Sequence, residues 1–171
     1  MIEASVTGSP LSGIAWRRYA PGRDAAPLAA LFRAAVTTLA APHYDAAQRA
    51  AWASAADDLG AFDARLSRCT TLVAEYAGAS VAFGQLFPAD HVEMLYVAPD
   101  WGRRGLASAR LEAMARGERA SVLRTEASAL ARPVFERAGF SLVAMEVVWR
   151  GGVSLPRFQM AKPLRAADFS G

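Results

Sequence analysis

Gly102, Arg103, Arg104 and Gly105 lie in the stretch APDWGRRGLASARL, which runs from Ala98 to Leu111 between an apolar run and a helical pattern. These residue types can hold an anion. A helix start exposes N–H groups that have no carbonyl one turn back, and carries about half a positive charge of macrodipole. Glycine lets backbone amides approach a ligand closely, and arginine adds a full charge on a forked donor. The stretch is not a P-loop, because Gly-Lys-Ser/Thr is missing, and it is not G-x-G-x-x-G. On its own it reads equally as a glycine turn with solvated arginines.

The elements around it follow from periodicity. A strand is predicted at Ile14–Tyr19, and Asp24 then stands where it can cap a helix. Leu28, Leu31, Phe32, Ala35 and Val36 recur at helical spacing up to about Ala40, and Pro42 stops the pattern. Two shorter helices are expected, one capped by Asp45 and one carrying Leu59, Phe62 and Leu66 on one side. TTLVAEYA and SVAFGQLFP read as a hairpin joined at Gly78-Ala79, and HVEMLYVAP as a third, more apolar strand. A helical beat then runs from Arg103 to about Gly117. It separates HVEMLYV from the short strand ASVLRTEAS, so those two can pair in parallel. ARPVFERAG is a short helix with Pro133 in its first turn and Gly139 at its end. Two long strands around Gly151-Gly152 close the chain as a second hairpin. This order predicts an α/β fold with a mixed sheet.

At 171 residues the chain suits one domain, and an apolar share of 53% is far above the disordered range. Residues 1–12 are expected to be a disordered leader, 13–165 a single domain and 166–171 a tail. No apolar run is long enough for a membrane span, and the N-terminal residues lack the apolar core of a signal peptide. The lone cysteine, Cys69, excludes an internal disulfide, fits a reducing cytoplasm and reads as a small core residue. All but Lys162 of the 19 basic residues are arginine, and the net charge of +3 has no basic run behind it. That argues against nucleic acid as a partner and favours a small anionic ligand.

MLYVAPDWGRRGLASARL and SALARPVFERAGF together resemble the GNAT superfamily, the acyl-CoA-dependent N-acyltransferases. That family ends a strand in L-x-V-x-P, continues with [Q/R]-x-x-G-x-[G/A] into a helix, and some thirty residues later carries A-x-x-[L/V]-[Y/F]-x-[K/R]-x-G-F. Leu95, Val97 and Pro99 match the first part, Gly105 and Ala107 the second, and Ala131, Val134, Phe135, Arg137, Gly139 and Phe140 the third. The resemblance covers roughly 70–164, and the wording TEAS, ARPVFERAGF and Ala51-Trp52 is similar to one bacterial branch. Two positions depart. Gly102 stands where the family has Gln or Arg, and Phe135 replaces a tyrosine credited with reprotonating the departing thiolate.

The resemblance implies a mixed, mostly antiparallel sheet whose central parallel pair is splayed to hold coenzyme A, with helices on both faces. It implies acetyl-CoA as cosubstrate and an amine as acceptor, with no metal. Leu95, Tyr96 and Val97 would flank the pantetheine arm. The amides of Arg103, Arg104, Gly105, Leu106, Ala107 and Ser108 would take the pyrophosphate, and Gly102, Ser128 and Phe135 complete the expected cofactor-binding set. An alkyl ammonium has a pKa of ~10.4, so a base must remove its proton near neutral pH. His91 and Glu93 lie two apart on one strand and share a face, which Leu95 and Val97 also share if no bulge intervenes. The resemblance makes Glu93 and His91 the candidate bases. Glu126, on a flanking strand, reads as a supporting residue, and Glu146 is weaker still. Tyr44, Gln48 and Trp52 recur every four residues, and Tyr44 and Trp52 are the candidate acceptor contacts. Two other readings stay open: an acyl-CoA sensor that has lost catalysis, and a toxin-type acetylase of aminoacyl-tRNA. A homodimer is compatible with the sequence.

Overall fold

The computed structural model describes residues 11–117 and 120–164. Residues 1–10 of the expected leader and the expected tail at 166–171 lie outside them. Seven strands form one sheet: β1 (Ala15–Arg18), β2 (Thr70–Tyr76), β3 (Ala79–Leu86), β4 (His91–Val97), β5 (Val122–Ala127), β6 (Ser141–Arg150) and β7 (Val153–Pro163). Their order is β1-β2-β3-β4-β5-β7-β6. Every neighbouring pair is antiparallel except β4 and β5, which are parallel and joined by a helical crossover.

Among the described residues five α-helices cover the sheet: α1 (Ala25–Leu39), α2 (Ala46–Ala53), α3 (Leu59–Leu66), α4 (Leu106–Gly117) and α5 (Arg132–Arg137). The apolar stripe of α1 packs with Phe62 and Leu66 of α3 on Val73, Phe83 and Met94 of the sheet. On the other face Leu111 and Met114 of α4 and Phe135 of α5 pack on Val92, Leu123 and Met160. Each such side chain, fully removed from water, contributes about 2 kcal/mol. Gly84 sets how closely α4 approaches β3. A Cβ there would stand 3.0 Å from Cγ of Arg110 and 3.1 Å from Cε of Met114.

Local signals explain most helix ends. Asp45 accepts from the N–H of Gln48 at 2.8 Å while Gln48 accepts from the N–H of Asp45 at 3.0 Å, a reciprocal capping box. Asp24 stands at the start of α1 but does not cap it. Its carboxylate is held instead by both terminal nitrogens of Arg17 and by the N–H of Ala20. The β2–β3 turn falls on Ala77-Gly78, one residue earlier than expected, because both adopt the left-handed conformation that a tight hairpin needs. Cys69 is exposed rather than in the core, since it precedes β2 in the connection from α3. Among the described residues no helix is long and apolar enough to cross a membrane.

Candidate active site

β4 and β5 pair only through His91 with Arg124 and Val92 with Thr125. From Glu93 onward the strands part, so backbone groups of β4 that face β5 lose their ladder partners. β4 also carries an extra residue. Gln85 of β3 pairs with Met94 and Leu86 with Val92, which leaves Glu93 unpaired in a bulge. Glu93 therefore turns toward α3, where Arg65 donates to it at 2.6 Å, while Val92 and Leu95 pack on the opposite side with α4 and α5. The shared face expected for Glu93, Leu95 and Val97 is broken by this bulge. His91 and Glu93 do keep a common side, with Nδ1 of His91 3.5 Å from the Glu93 carboxylate.

The gap between the strands opens into a groove of about 810 Å³. Leu95, Tyr96, Val97, Gly102, Arg103, Ala107, Ser128 and Phe135 line it. At its far end Pro99–Trp101 forms a single tight turn before Gly102, and α4 begins at Leu106 rather than Arg103. Arg103 and Gly105 interrupt the helical path, with φ of 61° and 86°. A Cβ on Gly105 would meet no atom within 4 Å. Space is therefore open beside the unpaired amides of Leu106, Ala107 and Ser108, the cradle a pyrophosphate needs. Arg104 is turned away and stacks on Trp101, 4.5 Å from the ring centre. The Leu106 side chain is buried in the core and offers only its backbone.

A second cavity of about 120 Å³ lies between β4, β5, α2 and the β6–β7 hairpin. Trp52, Glu93, Tyr96, Glu126 and Ser128 line both cavities and form the wall between them. Glu126, expected to be only a supporting residue, thus stands at the junction. His91 lines neither cavity. It sits behind the two carboxylates, with Nε2 donating to Glu126 at 2.6 Å and Nδ1 3.3 Å from the Phe87 carbonyl. Trp52 donates to the Tyr96 hydroxyl at 3.2 Å. No described group accepts the Tyr96 O–H, and burial pushes its phenol above the ordinary tyrosine value.

Tyr44 is buried at the base of the smaller cavity. It precedes α2, because Asp45 is the cap, so Tyr44, Gln48 and Trp52 do not form one helical face. Its hydroxyl donates to the Pro156 carbonyl and accepts from the Ala129 N–H, each at 2.9 Å. Burial pushes this phenol up as well. Phe135 stacks edge-on against Phe140 inside the second core, an apolar role that a phenyl ring fills. Among the described residues no group of His, Cys, Asp and Glu could hold a metal ion.

The splayed parallel pair and the glycine bend at a helix start stand where the resemblance to the GNAT superfamily puts its acyl-CoA site. A family model for the acetyltransferase (GNAT) domain matches residues 40–162. The chain is 36% identical over 150 residues to the uncharacterized N-acetyltransferase YafP of Escherichia coli (strain K12), covering 88% of this chain and 96% of that one. A GCN5-related N-acetyltransferase from Rhodopseudomonas palustris superposes with a TM-score of 0.84 at 39% identity, over 90% of this chain and 97% of the other. PaiA N-acetyltransferase from Thermoplasma acidophilum, solved with coenzyme A, shares the fold at a TM-score of 0.70 and 16% identity, over 88% and 98%. The chain belongs to the GNAT family of N-acetyltransferases. It is an acyltransferase.

Proposed function

We propose that the chain transfers the acetyl group of acetyl-CoA directly to a primary amine of a small molecule or peptide. The observation that carries this reading is the common wall of the two cavities, where two carboxylates and the Tyr96 phenol stand between a larger groove suited to the coenzyme and a compact pocket suited to the acceptor. Acetyl-CoA supplies the activated acetyl group. Its pyrophosphate is held by the amides of Arg103 to Ser108 and its pantetheine by the β4 groups freed at the splay.

The chain's own residues then manage protons. Glu93 takes the proton of the incoming ammonium, with Arg65 holding one of its carboxylate oxygens and the other lying 3.5 Å from Nδ1 of His91. His91 positions both carboxylates from behind. The neutral amine attacks the carbonyl carbon, the C–S bond breaks, and the amine's remaining surplus proton leaves to solvent. Tyr96, whose O–H has no acceptor among the described residues, gives its proton to the departing sulfur, the task that Phe135 cannot perform, and is reprotonated through solvent by the proton that Glu93 took up. Trp52 and Tyr44 shape the acceptor wall, and no enzyme nucleophile is required.

Acetyl-CoA mixed with a panel of primary amines tests this reading by release of free thiol. Release that depends on both acetyl-CoA and an amine is the expected result. Hydrolysis of acetyl-CoA at the same rate with and without every amine would overturn it.

A further inference from the structure

Five ionised side chains line the acceptor cavity: Arg65, Arg150, Arg157, Glu93 and Glu126. Four have partners. Arg65 is held by Glu93, Glu126 by His91, and Arg157 by Glu146, which Gln159 also donates to at 3.0 Å. Arg150 has neither an ion pair nor a hydrogen bond among the described residues, although it is partly buried at the end of β6 and its charge reaches the Tyr96 phenol. A guanidinium partly withdrawn from water and aimed into a pocket is costly unless something anionic meets it.

Resting on the amine-acetylation reading above, we infer that the acceptor amine also carries an anionic group, a carboxylate or a phosphate, which Arg150 binds. The pocket has matching ends. Glu93 and Glu126 stand at the coenzyme groove, where the ammonium must arrive. Arg150 stands on the β6–β7 side, with Trp52, Val148 and Leu155 offering apolar surface between. A cavity of about 120 Å³ takes a compact acceptor. A polyamine fits poorly, because its second ammonium would face the unpaired guanidinium.

Matched pairs of amines decide the matter, with coupled thiol release as the readout: tyrosine against tyramine, β-alanine against ethylamine, and phosphoethanolamine against ethanolamine. The full chain should favour the anionic member of at least one pair by roughly 10–100-fold in kcat/KM, the worth of one charge-assisted contact. Which pair responds separates carboxylate from phosphate. Arg150→Gln should remove that preference by raising KM for the anionic member, bringing the two members of the pair to similar kcat/KM, with the acetyl-CoA melting shift intact. Arg150→Lys should restore part of it. Equal or better turnover of the uncharged members overturns the inference and leaves amine acetylation standing. So does an Arg150→Gln variant that still shifts with acetyl-CoA and keeps the preference. Absence of thiol release with every member of every pair, while acetyl-CoA still raises the melting temperature, overturns the amine reading and this inference with it.

Discussion

Nε2 of His91 donates to the Glu126 carboxylate at 2.6 Å, across the place where the β4–β5 ladder ends. Two strands that stop sharing backbone hydrogen bonds are tied there by side chains instead. The same ring reaches toward Glu93 with its other nitrogen. The two carboxylates on the wall between the cavities are therefore positioned by one residue that lies outside both.

Glu93→Gln keeps the shape of the side chain and removes the proton acceptor. It should lower kcat by roughly 10²–10⁴-fold, with acetyl-CoA binding little changed. His91→Gln should cost less, because His91 acts through the carboxylates. A pH–rate profile of both variants checks this. Near-parental rates for both from about pH 6 to 9 would remove Glu93 as the base.

Gly105 is left-handed, and the space beside its Cα is empty. Acetyl-CoA should raise the melting temperature of the parent by mass action. Gly105→Asp should abolish that rise, since it sets a carboxylate in the cradle and strains the backbone. A folded variant that retains the full shift would place the pyrophosphate elsewhere.

Tyr96→Phe deletes a hydroxyl hydrogen at the cavity wall that no described group accepts, and leaves the ring packed against Phe32 and Phe83. The expected loss is in kcat, about 10–100-fold, with KM for acetyl-CoA nearly unchanged. Because burial raises the Tyr96 phenol, its proton stays in place through the ordinary tyrosine range. The parental rate should therefore not fall from tyrosine ionisation before that range is passed. Stopped-flow thiol release in both proteins measures the effect.

Asp24 is almost fully buried, and burial alone would raise its pKa. The Arg17 guanidinium and the Ala20 N–H outweigh that and hold it below the usual carboxylate value. Its contribution to stability is then fully present above the unfolded-state pKa, and fades as pH falls through the folded-state value. Asp24→Asn should cost roughly 1–3 kcal/mol near neutral pH. The gap between parent and variant should close only below the ordinary aspartate range, as the parental carboxyl takes up its proton. Urea midpoints across this range report the difference.

Much of the frame is local and therefore legible in the residues themselves. The beat of Leu28, Phe32 and Val36, the Asp45–Gln48 box and the Gly151-Gly152 turn each need only a few neighbours to specify them. The glycine bend was equally visible, although its left-handed Arg103 delays α4 by one turn. The parts that escaped depend on pairing partners far along the chain. The bulge at Glu93 exists because Gln85 and Leu86 face three residues of β4, and that count is invisible within HVEMLYV. Glu126 meets His91 across 35 positions, and its place at the cavity junction follows from the splay alone. Arg150 looked like any strand-end arginine. Its lack of a partner emerges only once Glu93 and Glu146 have claimed the other two.

The two rungs between β4 and β5 have a mechanical meaning. On one side of them lie four strands in continuous antiparallel pairing, and on the other side three. Such a sheet behaves as two plates riveted at a corner, stiff within each plate and compliant between them. Whatever fills the open seam braces the plates against one another. In the proposed reaction acetyl-CoA enters that seam before each transfer and leaves it as the free thiol, so the protein is braced and unbraced once in every turnover, and its compliance follows the supply of the molecule it consumes.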